Sequence, residues 1–453
     1  MEKEENTQLL LVINEYLKMN PDITSQEIVE LEKQKNIIVS QKSVIEAMGK
    51  IKQMRYSKPI LEDVYRISKK WFHLKNTNRL DVVLAVAFSQ KMIGTPLWLI
   101  VVAPSGDMKS EQLRALDDDG LTTKIVQKFT DKTLVNGFQN KTEHPDLAPK
   151  LKDKIMLILD MADILQLRPE IKGQIWAQLR DLYDGNASSQ SGTGADIYYT
   201  DLRVTFLAGS TPAIDEQILI HQSLGTRELL YRPSEIINIE NLMFKAWNNE
   251  FYQIEMREEF KIVIQNFIRE LQIRPIEVSN YARDKIMFLA RYLAYMRSSA
   301  PTDSYTGDLR GEVVPELPTR CLQQLKRLFI CLMNLDPEYS EEKALEIIKE
   351  VVLSSIDKTR AKVLDFIIKS NEEMTTSMIA ERLKMGKKSV RTECNILWYL
   401  NVIDRRLEEN TNNWGQTFIV GEFWKACEDN IFVKTLRNQN KEFNQETLLR
   451  NIA

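Results

Sequence analysis

The sequence predicts an α/β protein: a mostly parallel, helix-covered sheet, then a long helical stretch, then a compact C-terminal unit of three helices and a hairpin. Three observations carry that reading. Apolar runs of strand character, LWLIVV (97–102), KIVQKF (124–129), IMLILD (155–160), RVTFLA (203–208) and ELLYR (228–232), are mostly separated by helical patterns. That alternation buries a parallel sheet on both faces. Strand character then nearly vanishes from 236 to 350, and it returns after 358 in a new order of elements.

Ahead of the sheet, residues 8–55 read as three short helices, LLLVINEYLKM, SQEIVELEKQK and SQKSVIEAMGKIKQM. The last two open at serines placed to cap them. The triplet fits a helix-turn-helix unit and a plain three-helix cap equally well. Residues 60–93 add two amphipathic helices, ending at Gly94 and Pro96. The expected division is a helical N-terminal domain at 1–56, a sheet core at 57–235, a helical region at 236–350, the C-terminal unit at 357–425 and a tail at 426–453. At 453 residues the chain exceeds one ordinary core, which suits several domains.

Composition narrows the classes. Apolar residues at 43% and charged residues at 28% are those of a soluble globular protein. The net charge of −3 excludes a polycation, so contact with nucleic acid must come from local patches. No apolar run reaches the roughly 18–20 residues that span a bilayer, and MEKEENTQ is not signal-like. The expectation is a cytoplasmic protein with no membrane partner. Cys321, Cys331, Cys394 and Cys427 form no CxxC pair and read as reduced thiols. His73, His144 and His221 do not have the usual spacing of zinc ligands.

The strand at 97–102 runs into Ala103-Pro104-Ser105-Gly106-Asp107-Met108-Lys109-Ser110 and then the helix EQLRAL. Strand, tight turn, Lys-Ser, helix is the setting of a phosphate-binding P-loop, in which backbone N–H groups hold phosphate oxygens. Pro104, Ser105, Gly106, Asp107, Met108, Lys109, Ser110 and Glu111 form the candidate cradle for ATP. Lys109 would reach the β- and γ-phosphates and Ser110 would bind Mg²⁺. The pattern departs from GxxxxGK[ST] at Ala103 and Met108. A strand–helix turn with an incidental lysine is the other reading. KIMLILD sets Asp160 at the end of an apolar strand, where a lone buried carboxylate is costly. Sharing Mg²⁺ with Ser110 would resolve that cost, and so would capping the next helix.

Together these motifs resemble the AAA+ P-loop ATPases, in particular the minichromosome maintenance helicase branch and its phage and plasmid relatives. That branch also replaces the glycine before the P-loop lysine, usually by alanine. RVTFLAG runs into Ser210-Thr211-Pro212-Ala213, similar to the family's strand ending in Ala-Asn-Pro; Thr211 then takes the sensor-1 position, where the family has Asn. Leu224-Gly225-Thr226-Arg227-Glu228 resembles Leu-Ser-Arg-Phe and makes Arg227 an arginine finger for a neighbouring subunit. Leu317-Pro318-Thr319-Arg320-Cys321-Leu322 with Arg327 resembles the sensor-2 helix, with Arg320 at the γ-phosphate. A solvated surface charge is the plain alternative for each arginine.

The resemblance covers roughly 95–335 and continues into the C-terminal unit. It implies an AAA+-type core with an all-α lid, Mg-ATP as cofactor, and a ring-shaped homo-oligomer, a hexamer, since the finger acts in trans. Catalysis by Lys109, Asp160, Thr211, Arg227 and Arg320 would be largely electrostatic. The family's Glu after the strand-end Asp is Met161 here, so either Asp163 substitutes or hydrolysis is slow.

Two regions bear on DNA. GQIWAQLRDLYDG (173–185) reads as a helix, followed by the Gly/Ser-rich loop 185–196 and the strand-like IYYT (197–200). In related helicases this insertion is a hairpin that grips DNA, which singles out Arg203, Tyr198 and Tyr199. An edge hairpin packing its tyrosines on the core is the alternative. At the C-terminus come helices at 360–370, 374–385 (capped by Thr375 or Thr376) and 387–403. A hairpin follows at 405–420, with Asn413-Trp414-Gly415 near its tip. That is the order of a winged helix-turn-helix. Lys387, Lys388 and Ser389 would meet phosphates, Arg391 a base edge, and Arg405 and Arg406 would flank the wing. Contact with protein or ring packing is the other use of such a unit. Glu393, Glu408 and Glu409 keep the patch only modestly basic, so binding would be weak and salt-sensitive.

The sequence therefore points to an oligomeric, Mg-ATP-dependent DNA motor, helicase- or translocase-like, in DNA replication or processing. The alternatives are an ATP-switched DNA-binding protein (an origin binder or helicase loader) with slow hydrolysis, and a structural or regulatory protein with a dead nucleotide site.

Overall fold

The computed structural model describes residues 2–35, 37–74, 76–136, 146–189, 196–221, 225–233, 239–298, 303, 316–370, 372–412, 414 and 416–442. They group into two units. The first comprises Met1–Pro212, Glu235–Ile276 and Leu328–Ala344; the second comprises Ala213–Ser234, Glu277–Arg327 and Leu345–Ala453.

The first unit holds β1 (Trp98–Val102), β2 (Thr123–Ile125), β3 (Lys154–Ile158), β4 (Ala187–Ser189), β5 (Ile197–Tyr199) and β6 (Val204–Ser210). Every residue of β1 and β6 is buried, as the apolar run WLIVV and the mostly apolar VTFLAGS suit. The strands lie parallel in the order β2-β3-β6-β1. Val102 is level with Ser210 and Ile158 with Ala208, so β1, β6 and β3 end at one edge of the sheet. The Trp98 indole donates to Val204 O at 2.7 Å, so it can be buried beside Phe206 and Tyr183.

Two strand expectations need trimming. The run 124–129 stays in the sheet only to Ile125; after Val126 donates to Leu157 O, the chain leaves it. β3 stops at Ile158, so Asp160 is exposed rather than buried at a strand end.

The N-terminal helices Glu2–Met19, Ser25–Gln34 and Gln41–Arg55 enclose a small core of Ile13, Leu17, Ile28, Val44 and Met48. Ser40 caps the third helix as its position predicts. The second is capped by Thr24 instead of Ser25. Thr24 Oγ1 accepts the Glu27 N–H at 3.3 Å, and Glu27 Oε2 accepts the Thr24 N–H at 2.8 Å, a reciprocal capping box.

Helix Gln253–Glu270 is the strut of this unit. Its Glu255 accepts the Ser25 N–H at 3.0 Å. Its Glu259 meets Lys52 at 3.1 Å, Lys70 at 3.0 Å and the Trp71 indole N–H at 2.9 Å. Asn266 donates to Tyr56 O at 2.7 Å, and Lys91 donates to Arg269 O and Leu271 O at its C-terminal end. A second buried cluster binds Asp81, which accepts from Tyr65 and Tyr339 and pairs with Lys343, each at 2.6 Å.

In the second unit, helices Asn280–Arg297, Lys358–Ser370, Thr376–Leu383, Lys387–Tyr399 and Ile431–Glu442 accompany strands β7 (Leu229–Tyr231), β8 (Met374–Thr375), β9 (Ile403–Thr411) and β10 (Thr417–Ala426). The last three form an antiparallel sheet in the order β8-β10-β9. Thr375 is the cap of the helix that follows it. The buried Trp424 indole donates to Thr376 Oγ1 at 2.9 Å, and Phe432 stacks on Phe288 and Tyr292. Arg360, also buried, pairs with Glu393 at 2.7 Å and donates to Met296 O at 3.0 Å. Among the described residues no helix is long and apolar enough to cross a membrane.

Candidate nucleotide site and nucleic-acid face

β1 delivers the chain at the shared strand edge, and the next eight residues bend back on themselves. Gly106 has φ +83° and Met108 φ +65°, with Asp107 between them outside the left-handed region. Such alternation turns successive N–H groups toward one concavity. A side chain added at Gly106 would meet nothing within 4 Å, so open space lies over the bend. Met108 holds a conformation that L-residues adopt at a cost of roughly 1–2 kcal/mol, where the common motif has glycine.

Lys109 is 5% exposed, and its ammonium donates back across the loop to Pro104 O at 3.3 Å. The Ser110 hydroxyl donates to Leu159 O at 3.2 Å, which ties the first helical turn after the bend to the residue preceding Asp160. Two backbone links hold the same edge: Met161 N–H to Gly209 O at 2.9 Å and Ala103 N–H to Ser210 O at 3.0 Å. Gly209 permits the approach, since a Cβ there would stand 2.5 Å from Leu159 O. Lys109, Ser110, Asp160 and Thr211 thus leave the carboxyl ends of three adjacent parallel strands, where open α/β sheets bind ligands.

The carboxylates are disposed differently from one another. Asp160 Oδ1 accepts the Ala162 N–H at 2.9 Å, and Asp163 is exposed one residue further on. Met161 between them is fully buried. Glu111, expected at the cradle, is held instead by Nη2 and Nε of Arg257, at 2.7 and 2.8 Å. Asp107 pairs with Arg79 at 2.6 Å. Gln112 is buried with neither amide atom hydrogen-bonded. Arg79, Arg257 and Gln112 escaped the sequence reading. The one signal for Arg79 was a carboxylate inside a phosphate-binding turn, which requires a cation from somewhere.

In the second unit Arg227 and Arg320 meet at one turn. Arg227 donates to Gly225 O at 2.7 Å and Arg320 to Thr226 O at 3.3 Å. Gly225 has φ +81°, and a Cβ there would lie 3.0 Å from one guanidinium and 3.3 Å from the other. Leu224 lies outside the described residues.

β4 and β5 pair antiparallel as a short ribbon. Tyr199 donates to Asp146 at 2.9 Å, and burial together with that carboxylate pushes its phenol up to about 12. Tyr198 is exposed. Arg203 is occupied by Asp153 at 3.5 Å and by Ser89 O at 3.1 Å. Residues 190–195 of the intervening loop lie outside the described residues, as do Asn413 and Gly415 at the tip of the C-terminal hairpin.

Lys387, Lys388 and Ser389 are exposed in the first turn of helix Lys387–Tyr399. Arg391 pairs with Glu422 at 3.5 Å, and Arg405 shares that carboxylate while lying over the rings of Trp398 and Trp424. Arg406 pairs with Glu373 at 2.8 Å. Glu393, counted as a surface acid from sequence, is the buried partner of Arg360, and burial raises its carboxyl above the ordinary value.

No protein-family model matches the chain, and no curated protein matches it. Among solved structures it is similar to a full-length MCM homologue from Methanopyrus kandleri, with 16% identity and a TM-score of 0.36. The match covers 68% of this chain and 62% of that one, so the chain spans less than two thirds of the neighbour's length.

Proposed function

We propose that the protein is a Mg-ATP-dependent, DNA-associated ATPase that works as a ring-shaped oligomer. The reading rests on one observation: the bend at 103–110, with Lys109 folded over it and Ser110 bonded to the residue before Asp160. The residues fit a nucleotide. The cradle has open space at Gly106, a buried ammonium, and hard oxygen donors on Ser110 and Asp160 of the kind magnesium prefers. Lys109 would bind the terminal phosphates, Ser110 and Asp160 would hold the cation, and Thr211 or Asp163 would orient water. Magnesium, when bound, neutralises charge that develops on the transferred phosphoryl group.

Arg227 and Arg320 would add positive charge, with Arg227 serving a neighbouring copy. On this reading 57–235 is the ATPase core, 236–350 the lid, 357–425 a winged helix and 1–56 an accessory domain. Lys387, Lys388 and Ser389 carry the DNA contact, with Arg391, Arg405 and Arg406 behind them.

One assay set separates the readings. ATP turnover that rises with single- or double-stranded DNA, in protein sized as an oligomer, favours the motor. Tight ATP binding with little turnover favours a switch, and Met161 in place of a second acid supports that second reading. If Lys109→Ala leaves nucleotide binding intact, the site is wrongly placed.

A further inference from the structure

A carboxylate in a phosphate-binding turn works against the turn's own ligand. Asp107 stands between the two left-handed residues of the bend. Its side chain is 6% exposed, and its Oδ1 accepts the Lys109 N–H at 3.1 Å, one of the groups a phosphate would use. Left alone, that charge would repel an incoming triphosphate and compete for the amide.

It is not left alone. Arg79, in the first turn of helix Asn78–Ser89, bonds Asp107 Oδ2 at 2.6 Å and reaches the Asp107 carbonyl at 3.5 Å. The Arg79 side chain is 9% exposed. The two-point hold fixes both the carboxylate and the backbone beneath it. Two residues further along the same helix, Asp81 is anchored by Tyr65, Tyr339 and Lys343, so the turn carrying Arg79 is itself braced.

We infer that Arg79 is a positioning residue of the nucleotide site, which neutralises Asp107 and fixes where its carboxylate sits in the phosphate-binding turn. The inference rests on the P-loop reading above. It makes the loop's affinity depend on charge balance between two residues, neither of which need touch the nucleotide through its side chain.

The test is a double-mutant cycle on the full chain, read as dissociation constants for ATP and ADP by calorimetry and as nucleotide-induced shift in melting temperature. Arg79→Ala unmasks the carboxylate and weakens both nucleotides at least tenfold. Asp107→Asn alone tightens them, by two- to tenfold. Arg79→Ala combined with Asp107→Asn recovers at least tenfold over Arg79→Ala, and Arg79→Lys recovers part. A double variant as weak as Arg79→Ala, or Arg79→Ala binding like the native chain, overturns the inference. Should Arg79→Ala not fold, Arg79→Lys and Asp107→Asn still decide it, since Asp107→Asn binding more weakly than native contradicts the repulsion argument. If Lys109→Ala binds nucleotide normally, the P-loop reading itself falls. If Lys109→Ala abolishes binding while Arg79→Ala does not, only the role of Arg79 falls.

Discussion

Glu259→Gln is the sharpest test of what holds the first unit together. Glu259 is 1% exposed and carries three contacts at once: Lys52, Lys70 and the Trp71 indole. The amide keeps an acceptor for Trp71 but removes the charge. Lys52, 4% exposed at its side chain, is then left with Glu255 at 3.5 Å, while Lys70 is close enough to the surface to turn outward. Removing one member of a buried pair costs about 3–5 kcal/mol. The surviving Lys52–Glu255 contact places this case near the lower end, about 3 kcal/mol. For a unit of this size that corresponds to a fall in melting temperature of roughly 5 °C, read by calorimetry on the full chain.

The pH dependence has a definite sign. Burial would raise the Glu259 carboxyl, but Lys52 and Lys70 outweigh it and hold it below its ordinary 4.5. A depressed carboxylate stabilises above its unfolded value and loses that contribution as pH falls through the folded one. The gap between native and variant is therefore full at pH 7 and closes below about 4.5. Replacing both Lys52 and Glu259, as Lys52→Met with Glu259→Leu, does not recover the loss, because it leaves the buried Glu255 without its cation and the Trp71 indole without its acceptor. If Glu259→Gln melts within 1 °C of the native chain at pH 7, the network does not hold the N-terminal helices to the strut.

Three further outcomes follow from contacts already described. Arg257→Ala removes a half-exposed bidentate pair with Glu111, so stability falls by less than about 1 kcal/mol, while nucleotide affinity drops several-fold because the turn bearing Ser110 loses its brace; melting and titration on one sample separate the two. Met108→Gly relieves the left-handed φ and leaves stability equal or up to about 1 kcal/mol higher, whereas Met108→Val lowers it by more than about 1 kcal/mol, as denaturant titration will show. Alkylation at pH 8 marks Cys427 first, since it alone of the four is only half-buried, its thiol being raised like those of Cys321, pushed up to about 11 by burial, and Cys394; early label on Cys394 by mass spectrometry contradicts this.

What the sequence made legible was local. β1, β3 and β6 are runs of apolar and β-branched residues, and the bend at 103–110 is one contiguous stretch. The Ser40 and Thr375 caps and the C-terminal hairpin are likewise written within a few residues. What it hid lies in pairings set by tertiary packing. Arg79 and Asp107 are 28 positions apart, Trp71 and Glu259 are 188, and Ser25 and Glu255 are 230. No periodicity announces which arginine will face which carboxylate. Asp160 shows the converse error. The strand ends two residues before it, so a cost argued from burial did not apply, and its side chain accepts the Ala162 N–H.

The C-terminal cations divide by the same physics. Arg391, Arg405 and Arg406 are bound to Glu422 and Glu373, and Arg405 also lies over two indole rings. A phosphate recruiting any of them must first break an ion pair and, for Arg405, its ring contacts. The gain is then the difference between two charge-assisted bonds rather than one bond outright. Lys387, Lys388 and Ser389 stand exposed on the first turn of a 13-residue helix whose N-cap, Gly386, supplies no side-chain hydrogen bond. The N–H groups of that turn, with the positive end of the helix dipole behind them, suit an anion. On the proposed function, affinity for a polyanion concentrates at 387–389, while the arginines set the shape of the hairpin beside it.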